Sequence, residues 1–440
     1  MASIESYGKS RKKQISMQKN SIIKVSIPVS KISFVFISLI LFYSCSNKSD
    51  NNFHTKLNPG KSLGIALHRS PANFSFLHKG GITELPKYNP QSTNPWQMDL
   101  RSTDVSKADL TNASNELLHS CFDDKTIWPS RLPEGFYPEQ IMELGKNPGL
   151  AVKQLHKMGI TGKGVGIAII DQGLLADHIE YKGRLRSYEE IHCWDETSMH
   201  GSAVSSIAVG KTVGVAPDAD LYYIANVFGA KKEGKFEYDF SYLARAIERI
   251  LSINETLPKN NKIRVISLAI GWNQKFKGYN DMVAIVEKVK QAGIFIVSSS
   301  LSSCYENRFN FLGLGRAPMA DPDGFASYSP GNFWDKADYF SKITNHNTLL
   351  VPMDSRCTAS PTGINDYVFY RMGGLSWAIP YLAGVYALAC QADTTMTPEL
   401  FWQNALETGE ELKVSKEGQE YYIGKIINPV KLITSMQKRQ

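Results

Sequence analysis

Between residues 150 and 300 short unbroken apolar runs alternate with stretches of helical periodicity. VGIAII (165–170), LYYIANVF (221–228), IRVISLAI (263–270) and GIFIV (293–297) are strand-length and show little polar alternation, so both of their faces need cover. Between them, Phe240, Leu243, Ala244, Ile247, Ile250 and Leu251 share one helical face, as do Met282, Ile285, Val286 and Val289. Ala203, Val204, Ile207 and Ala208 form a stripe within HGSAVSSIAVG (200–210). Ala378, Leu382, Ala383 and Tyr386 do the same after GGLS (373–376). Apolar strands alternating with amphipathic helices predict an α/β fold: a parallel β-sheet flanked by helices on both faces, preceded by an N-terminal extension. Ligands in such folds gather at the carboxyl ends of strands, and Asp171 closes the first of these runs.

The N-terminus has a different pattern. Seven cationic residues precede position 32 against Glu5 alone, so most of the net charge of +7 sits in a tail and the rest of the chain is close to neutral. A nucleic-acid binder carries its basic charge on the folded surface, so no nucleic-acid partner is expected. After Lys31 comes ISFVFISLILFY (32–43), too short to span a bilayer comfortably and suited to a secretory signal. Residues 46–95 are rich in Asn, Ser, Lys, Gly and Pro and read as a tether or loose arm. Within 99–110 an Asp-apolar pair recurs every five residues: Asp99-Leu100, Asp104-Val105, Asp109-Leu110. Three steps are too few to stand alone and predict an edge element packed on the main domain. The division is therefore 1–45 signal segment, 46–147 tether and extension, 148–435 main domain and 436–440 tail.

Cys45 aside, five cysteines remain: Cys121, Cys193, Cys304, Cys357 and Cys390. An odd number cannot all pair internally. A Cys304–Cys357 bridge and buried free thiols both remain open. No Cys/His cluster has zinc spacing and no Asp-rich loop has EF-hand spacing, so no metal ligand or cofactor is assigned.

Three residues carry the candidate chemistry. Asp171 at a strand end reads alone as a turn former, His200 at a helix mouth as a core histidine, and Ser376 after two glycines as a helix cap. Together they make Asp, His and Ser in the chain order of the subtilisin triad. GKGVGIAIIDQG resembles the aspartate motif of the subtilases, HGSAVSSIAVG the histidine motif and GLSWAIPYLAG the serine motif, with Pro380 four residues after the serine as in the family. GVAPDADLYYIA (214–225) resembles the segment after the histidine motif, and GKIINP near 424 the closing segment. The likeness covers about residues 148–435. It implies a subtilisin-like fold and a serine endopeptidase that hydrolyses peptide bonds through an acyl-enzyme, with Ser376 as nucleophile, His200 as base and Asp171 as its orienter.

The resemblance has further implications and some departures. Ser302 stands where the family places an oxyanion asparagine, and Ser303 and Asn307 are alternatives. VISLAIGW (265–272) resembles the strand lining the family's S1 pocket, so Ala269, Ile270, Gly271 and Trp272 become candidate substrate-binding residues. Trp272 replaces a glycine and either narrows that pocket or covers core. Glu237 and Asp239 lie near the expected S2–S4 edge. Leu375 and Trp377 replace the residues flanking the family's serine. Calcium is common in the family but finds no local site here. Ser44-Cys45-Ser46 resembles a bacterial lipobox, with Phe42 and Tyr43 bulkier than usual, which implies an exported chain lipid-anchored at Cys45 to the cell envelope. A Cys45→Ser chain should then move from the membrane to the soluble fraction; retention on the membrane would sink that reading. The expected partners are a peptide or protein substrate and the membrane. The alternatives are a non-catalytic subtilase scaffold that binds peptides, and a triad used for other acyl transfers such as ester hydrolysis.

Overall fold

The computed structural model describes residues 53–60, 63–73, 81–92, 94, 96–194, 196–232, 235–331, 347–416 and 418–437. The signal segment and Cys45 lie outside the described residues.

A six-stranded sheet forms the centre. Its strands are β1 (His54–Lys56), β2 (Gly166–Asp171), β3 (Leu185–Cys193), β4 (Asp220–Ala225), β5 (Ile263–Leu268) and β6 (Phe295–Ser298). The order across the sheet is β1-β3-β4-β2-β5-β6. All neighbours run parallel except β1, which pairs antiparallel with β3 at the edge. The four apolar runs are β2, β4, β5 and β6, and every residue of β2 and β4 is buried. Continuous apolar strands of this kind are stable only where helices cover both faces. That cover comes from α1 (Met199–Val209), α2 (Ser241–Thr256), α3 (Tyr279–Gln291) and α4 (Leu375–Ala392). Helices α1 and α4 pack together, as do α2 and α3. On α3 the predicted stripe of Met282, Ile285, Val286 and Val289 is buried. On α2 the stripe is buried except for Leu251, which is half-buried, while Phe240 sits just before the first turn.

Helix α1 departs from its predicted pattern. It is buried on every side, Ser202, Ser205 and Ser206 included. The Ser202 and Ser206 hydroxyls allow this because they bond to nearby backbone, while Ser205 Oγ is buried with no hydrogen-bond partner. Ser206 Oγ donates to the Ala203 carbonyl at 2.9 Å and accepts from the Ala359 N–H at 3.0 Å. Helix α4 is long and apolar enough to cross a membrane, but 83% of it is buried inside the fold. It is the core helix on which Ser376 lies.

The N-terminal extension is built into the main domain. β1 adds the outermost strand, and Ile65 bridges to Tyr188 of β3. The five-residue repeat forms a small coil. Leu100, Val105 and Leu110 are buried at 1%, 0% and 1% exposure. Each accepts an N–H three residues on, from Thr103, Ala108 and Ala113. Asp99, Asp104 and Asp109 each accept the N–H two residues on, the hydrogen bond of an Asx-turn. The coil packs with Phe122, Phe369 and Cys357 in a second core, and strand Phe122–Asp123 pairs with Tyr367–Tyr370. At the other end helix Pro429–Gln437 runs past residue 435, with Met436 in the main core, so the domain takes in part of the expected tail.

The Cys304–Cys357 bridge is corrected. Cys304 lies in the main core and Cys357 in the second, neither in a disulfide, and the other described cysteines are buried as well.

Strand β3 carries two fully buried acids, Glu189 and Glu190. Arg249 holds Glu189 at 2.7 Å, and Arg69 holds Glu190 at 2.7 Å. Burial pushes the Glu190 carboxyl up, but hydrogen bonds from Arg69, Tyr188 and His54 together hold it below its ordinary 4.5. Cys193 is the other titratable group beside this cluster. A depressed carboxyl stabilises the fold above the unfolded pKa, and that contribution is lost as pH falls through the folded pKa. The melting temperature should therefore drop on acidification below about 4.5. Glu190→Gln should melt lower at neutral pH and flatten that drop; an unflattened drop would contradict the assignment.

Candidate active site

Asp171 ends β2 with its side chain 3% exposed, and His200 is the second residue of α1 at 6%. The carboxylate accepts from His200 Nδ1 at 2.7 and 2.9 Å and from the Gln172 N–H at 2.8 Å. With Nδ1 as donor, Nε2 is left as the basic nitrogen. Nε2 is buried and has no hydrogen-bond partner.

The backbone around this pair is fixed by neighbours that the sequence did not single out. Ser198 caps α1, accepting the His200 N–H at 3.1 Å and donating to Gln172 Oε1. The Ser198 N–H bonds to the Gly173 carbonyl at 2.7 Å. Tyr223 Oη donates to the Gln172 carbonyl. Ser198 was legible as a cap by its position two residues before the histidine. Tyr223 gave no local signal. Gly201 is where these groups meet α1: a Cβ there would fall well inside contact range of Tyr223 Oη and 2.8 Å from the Gln172 carbonyl oxygen. Tyr223 is fully buried and has no room to swing. Gly201→Ala should cost about 1–3 kcal/mol of stability, as overpacked core positions do, and displace His200. Adding Tyr223→Phe should recover part of the melting temperature, and no recovery would mean that the hydroxyl is not the obstacle.

Ser376 is the second residue of α4, 7% exposed. Gly374 caps the helix at φ 64° and ψ −179°, a conformation suited to glycine. The first N–H groups of the helix lack intrahelical acceptors and lend positive partial charge to the position. Pro380 has no N–H to give the Ser376 carbonyl. Trp377 sets its ring 5.4 Å from His200 and 5.3 Å from Tyr370. The start of α4 therefore lies beside the imidazole, although Nε2 and Ser376 share no hydrogen bond. Catalytic hydrogen bonds are often open without substrate. Trp377 is 2% exposed, so its ring fills space rather than projecting over the site.

Ala269, Ile270, Gly271 and Trp272 follow β5, and all are buried. They are laced to the turn after β6. The Ile270 carbonyl accepts the Ser299 N–H at 3.1 Å. Ser300 Oγ accepts the Trp272 N–H at 2.8 Å and donates to the Trp272 carbonyl at 3.0 Å. Trp272 packs near Phe240 in the core, which answers the question of its direction. Ser302 lies in the short helix Leu301–Cys304, and its hydroxyl donates to Asn307 Oδ1 at 2.7 Å. No hydrogen bond links Ser302 to Asp171, His200 or Ser376. Asp239 is buried, pairs with Lys277 at 2.7 Å and accepts the Ser241 N–H. Among the described residues no three His, Cys, Asp or Glu side chains gather as a metal site.

A parallel sheet with a buried Asp–His pair at a strand's carboxyl end, and a serine at a nearby helix start, is the architecture of a triad hydrolase. The Subtilase family profile matches residues 162–301, which include Asp171 and His200. Subtilisin NAT of Bacillus subtilis subsp. natto is 25% identical over 62% of this chain and 66% of its own length. An intracellular serine protease of Paenibacillus polymyxa is 26% identical over 52% of this chain and 68% of its own. The prenylagaramide maturation protease PagA aligns with 64% of this chain and 97% of its own at a TM-score of 0.44 and 16% identity. Over residues 162–301 the chain is similar to the subtilase family, and its relatives include subtilisins and subtilisin-like serine proteases.

Proposed function

We propose that the chain is a serine endopeptidase working through Asp171, His200 and Ser376. Ser376 Oγ attacks the scissile carbonyl carbon while His200 Nε2 takes its proton. The tetrahedral intermediate collapses, the C–N bond breaks, and His200 returns the proton to the leaving amine. Water then repeats the sequence on the acyl-enzyme. Asp171 holds the tautomer and stabilises the imidazolium. The Ser376 N–H at the helix start is the first oxyanion donor. Ser302 becomes the second only if its hydroxyl leaves Asn307. Ala269–Gly271 form one wall of the substrate cleft, with Trp272 packed behind it in the core. Substrates are peptides or proteins, and the chain is exported and anchored through Cys45.

The observation that carries this reading is the His200 ring: one nitrogen is held by a buried carboxylate and the other is buried with no partner. An unpaired buried acceptor is costly, and a core histidine would satisfy it. The non-catalytic scaffold draws on the occupied Ser302 hydroxyl. The test is a fluorophosphonate with peptide mass spectrometry. Covalent label on Ser376 supports the endopeptidase. A folded, unlabelled chain supports the scaffold.

A further inference from the structure

The arm formed by residues 53–60 and 63–73 does more than extend the sheet. Arg69 is buried with its side chain 3% exposed. Its Nε donates to Glu190 Oε1 at 2.7 Å and meets Tyr188 Oη at 3.2 Å. One terminal nitrogen donates to the Trp194 carbonyl. A Cβ on Gly173 would stand 3.2 Å from Arg69 Nε, so the guanidinium lies against the turn that follows Asp171. The next residue continues the contact: the Ser70 carbonyl accepts Thr197 Oγ1 at 2.7 Å. Two residues of the arm therefore hold the loop between β3 and α1 at both ends, Trp194 and Thr197. That loop leads into Ser198, which caps α1 on the His200 N–H and bonds to Gly173 and Gln172.

These contacts form one chain of fixed groups from Arg69 to the Asp–His pair. Arg69 touches Glu190, the Trp194 carbonyl and the Gly173 turn. Ser70 holds Thr197, Thr197 adjoins Ser198, and Ser198 seats His200. Glu190 is fully buried, and its cationic partner Arg69 comes from the arm. Removing the arm would strand that carboxylate at an opened sheet edge. An assisting segment that is later discarded would not be expected to carry such a charge pair.

We propose that the arm is a permanent part of the working enzyme and that Arg69 is a positioning residue for His200, acting through the loop that ends at Ser198. This rests on the triad reading above. The geometry also says what the arm does not do: Arg69 makes no contact with Ser376, and its effect reaches the serine only through the imidazole.

The test uses the full-length chain with Arg69→Ala, Arg69→Lys, Thr197→Val and Arg249→Ala. Two quantities are read: the rate of fluorophosphonate acylation at Ser376 and hydrogen exchange in the peptide covering Ser198–Ala203. Arg69→Ala should acylate about tenfold to a hundredfold more slowly, the scale of a small misplacement of a catalytic group, and lose protection in that peptide. Ethylguanidinium should restore part of the rate, and Arg69→Lys should fall between. Thr197→Val removes one of the arm's two holds on the loop without stranding a charge, so it should slow acylation even if Arg69→Ala fails to fold. Arg249→Ala breaks the neighbouring buried pair on β3, which meets the arm at Asn58 and Gly60 but has no hydrogen bond to the loop at Trp194–Thr197, so it should lose stability while keeping its acylation rate. The proposal is overturned if Thr197→Val and a folded Arg69→Ala match the parent in rate and exchange. It is also overturned if Arg249→Ala slows acylation as much as Arg69→Ala, since the effect is then general destabilisation. A parent chain that takes no label overturns the triad reading instead, and the exchange readout then decides the positioning claim alone.

Discussion

Removing the imidazole in a His200→Ala chain is expected to lower peptide turnover by about 10⁶-fold, the scale that holds for subtilisin itself. The reason is that in the proposed triad His200 and Ser376 act as one unit. Without Nε2 the serine hydroxyl keeps its proton through the attack and is a weak nucleophile at neutral pH. The double variant His200→Ala, Ser376→Ala should therefore be no slower than either single variant. Losses that multiplied would mean that the two residues act separately, and the triad would have to be abandoned. A residual rate above water is expected in all three, because the helix start and the substrate cleft remain.

Asp171→Asn should lower turnover by about 10⁴-fold. Asp171 can only accept, and it accepts from both His200 Nδ1 and the Gln172 N–H. An asparagine presents one accepting and one donating atom to those partners. If its amide nitrogen faces Nδ1, the proton is driven to Nε2 and the base is lost. If its oxygen does, the imidazolium loses the negative charge that stabilises it. The pair is buried, so solvent cannot supply either function. The measurement is turnover beside a melting curve. A large loss of turnover with the fold intact fits, while activity within tenfold of the parent would remove Asp171 from the mechanism.

Four of the six central strands were legible because each is an apolar run of strand length that needs burial on both faces, whereas the three-residue β1 and the β3 strand, which carries Glu189 and Glu190, were not. Asp171, His200 and Ser376 were legible because each marks a strand end or helix start in a fixed chain order. The structure brings Asp171 and His200 into hydrogen bond and sets α4 beside them. Helix α1 read as amphipathic because serine counts as polar in a pattern. The Ser202 and Ser206 hydroxyls spend that polarity on nearby backbone, which no periodicity reports. Trp272 could not be aimed from the sequence, since its direction depends on Phe240 from another element. Arg69 was invisible for a related reason. It lies in an arm rich in loop-forming residues, and its partners are more than a hundred positions away.

The five buried thiols have a consequence for how long the molecule lasts. Burial pushes Cys121 and Cys390 up to about 11 and Cys304 to about 12, so in the folded chain almost none of these three is thiolate at neutral pH. Unfolding returns ordinary reactivity to these thiols, and any that finds no partner in its own chain can seek one in another. Outside a reducing compartment each full opening is thus an opportunity for a cross-link that refolding cannot undo. The working lifetime is then set by the rate of opening rather than by the equilibrium between folded and unfolded chains. The arm clamped along β3 and the second core around the repeat act on that rate, since both must come apart before the last thiols meet solvent.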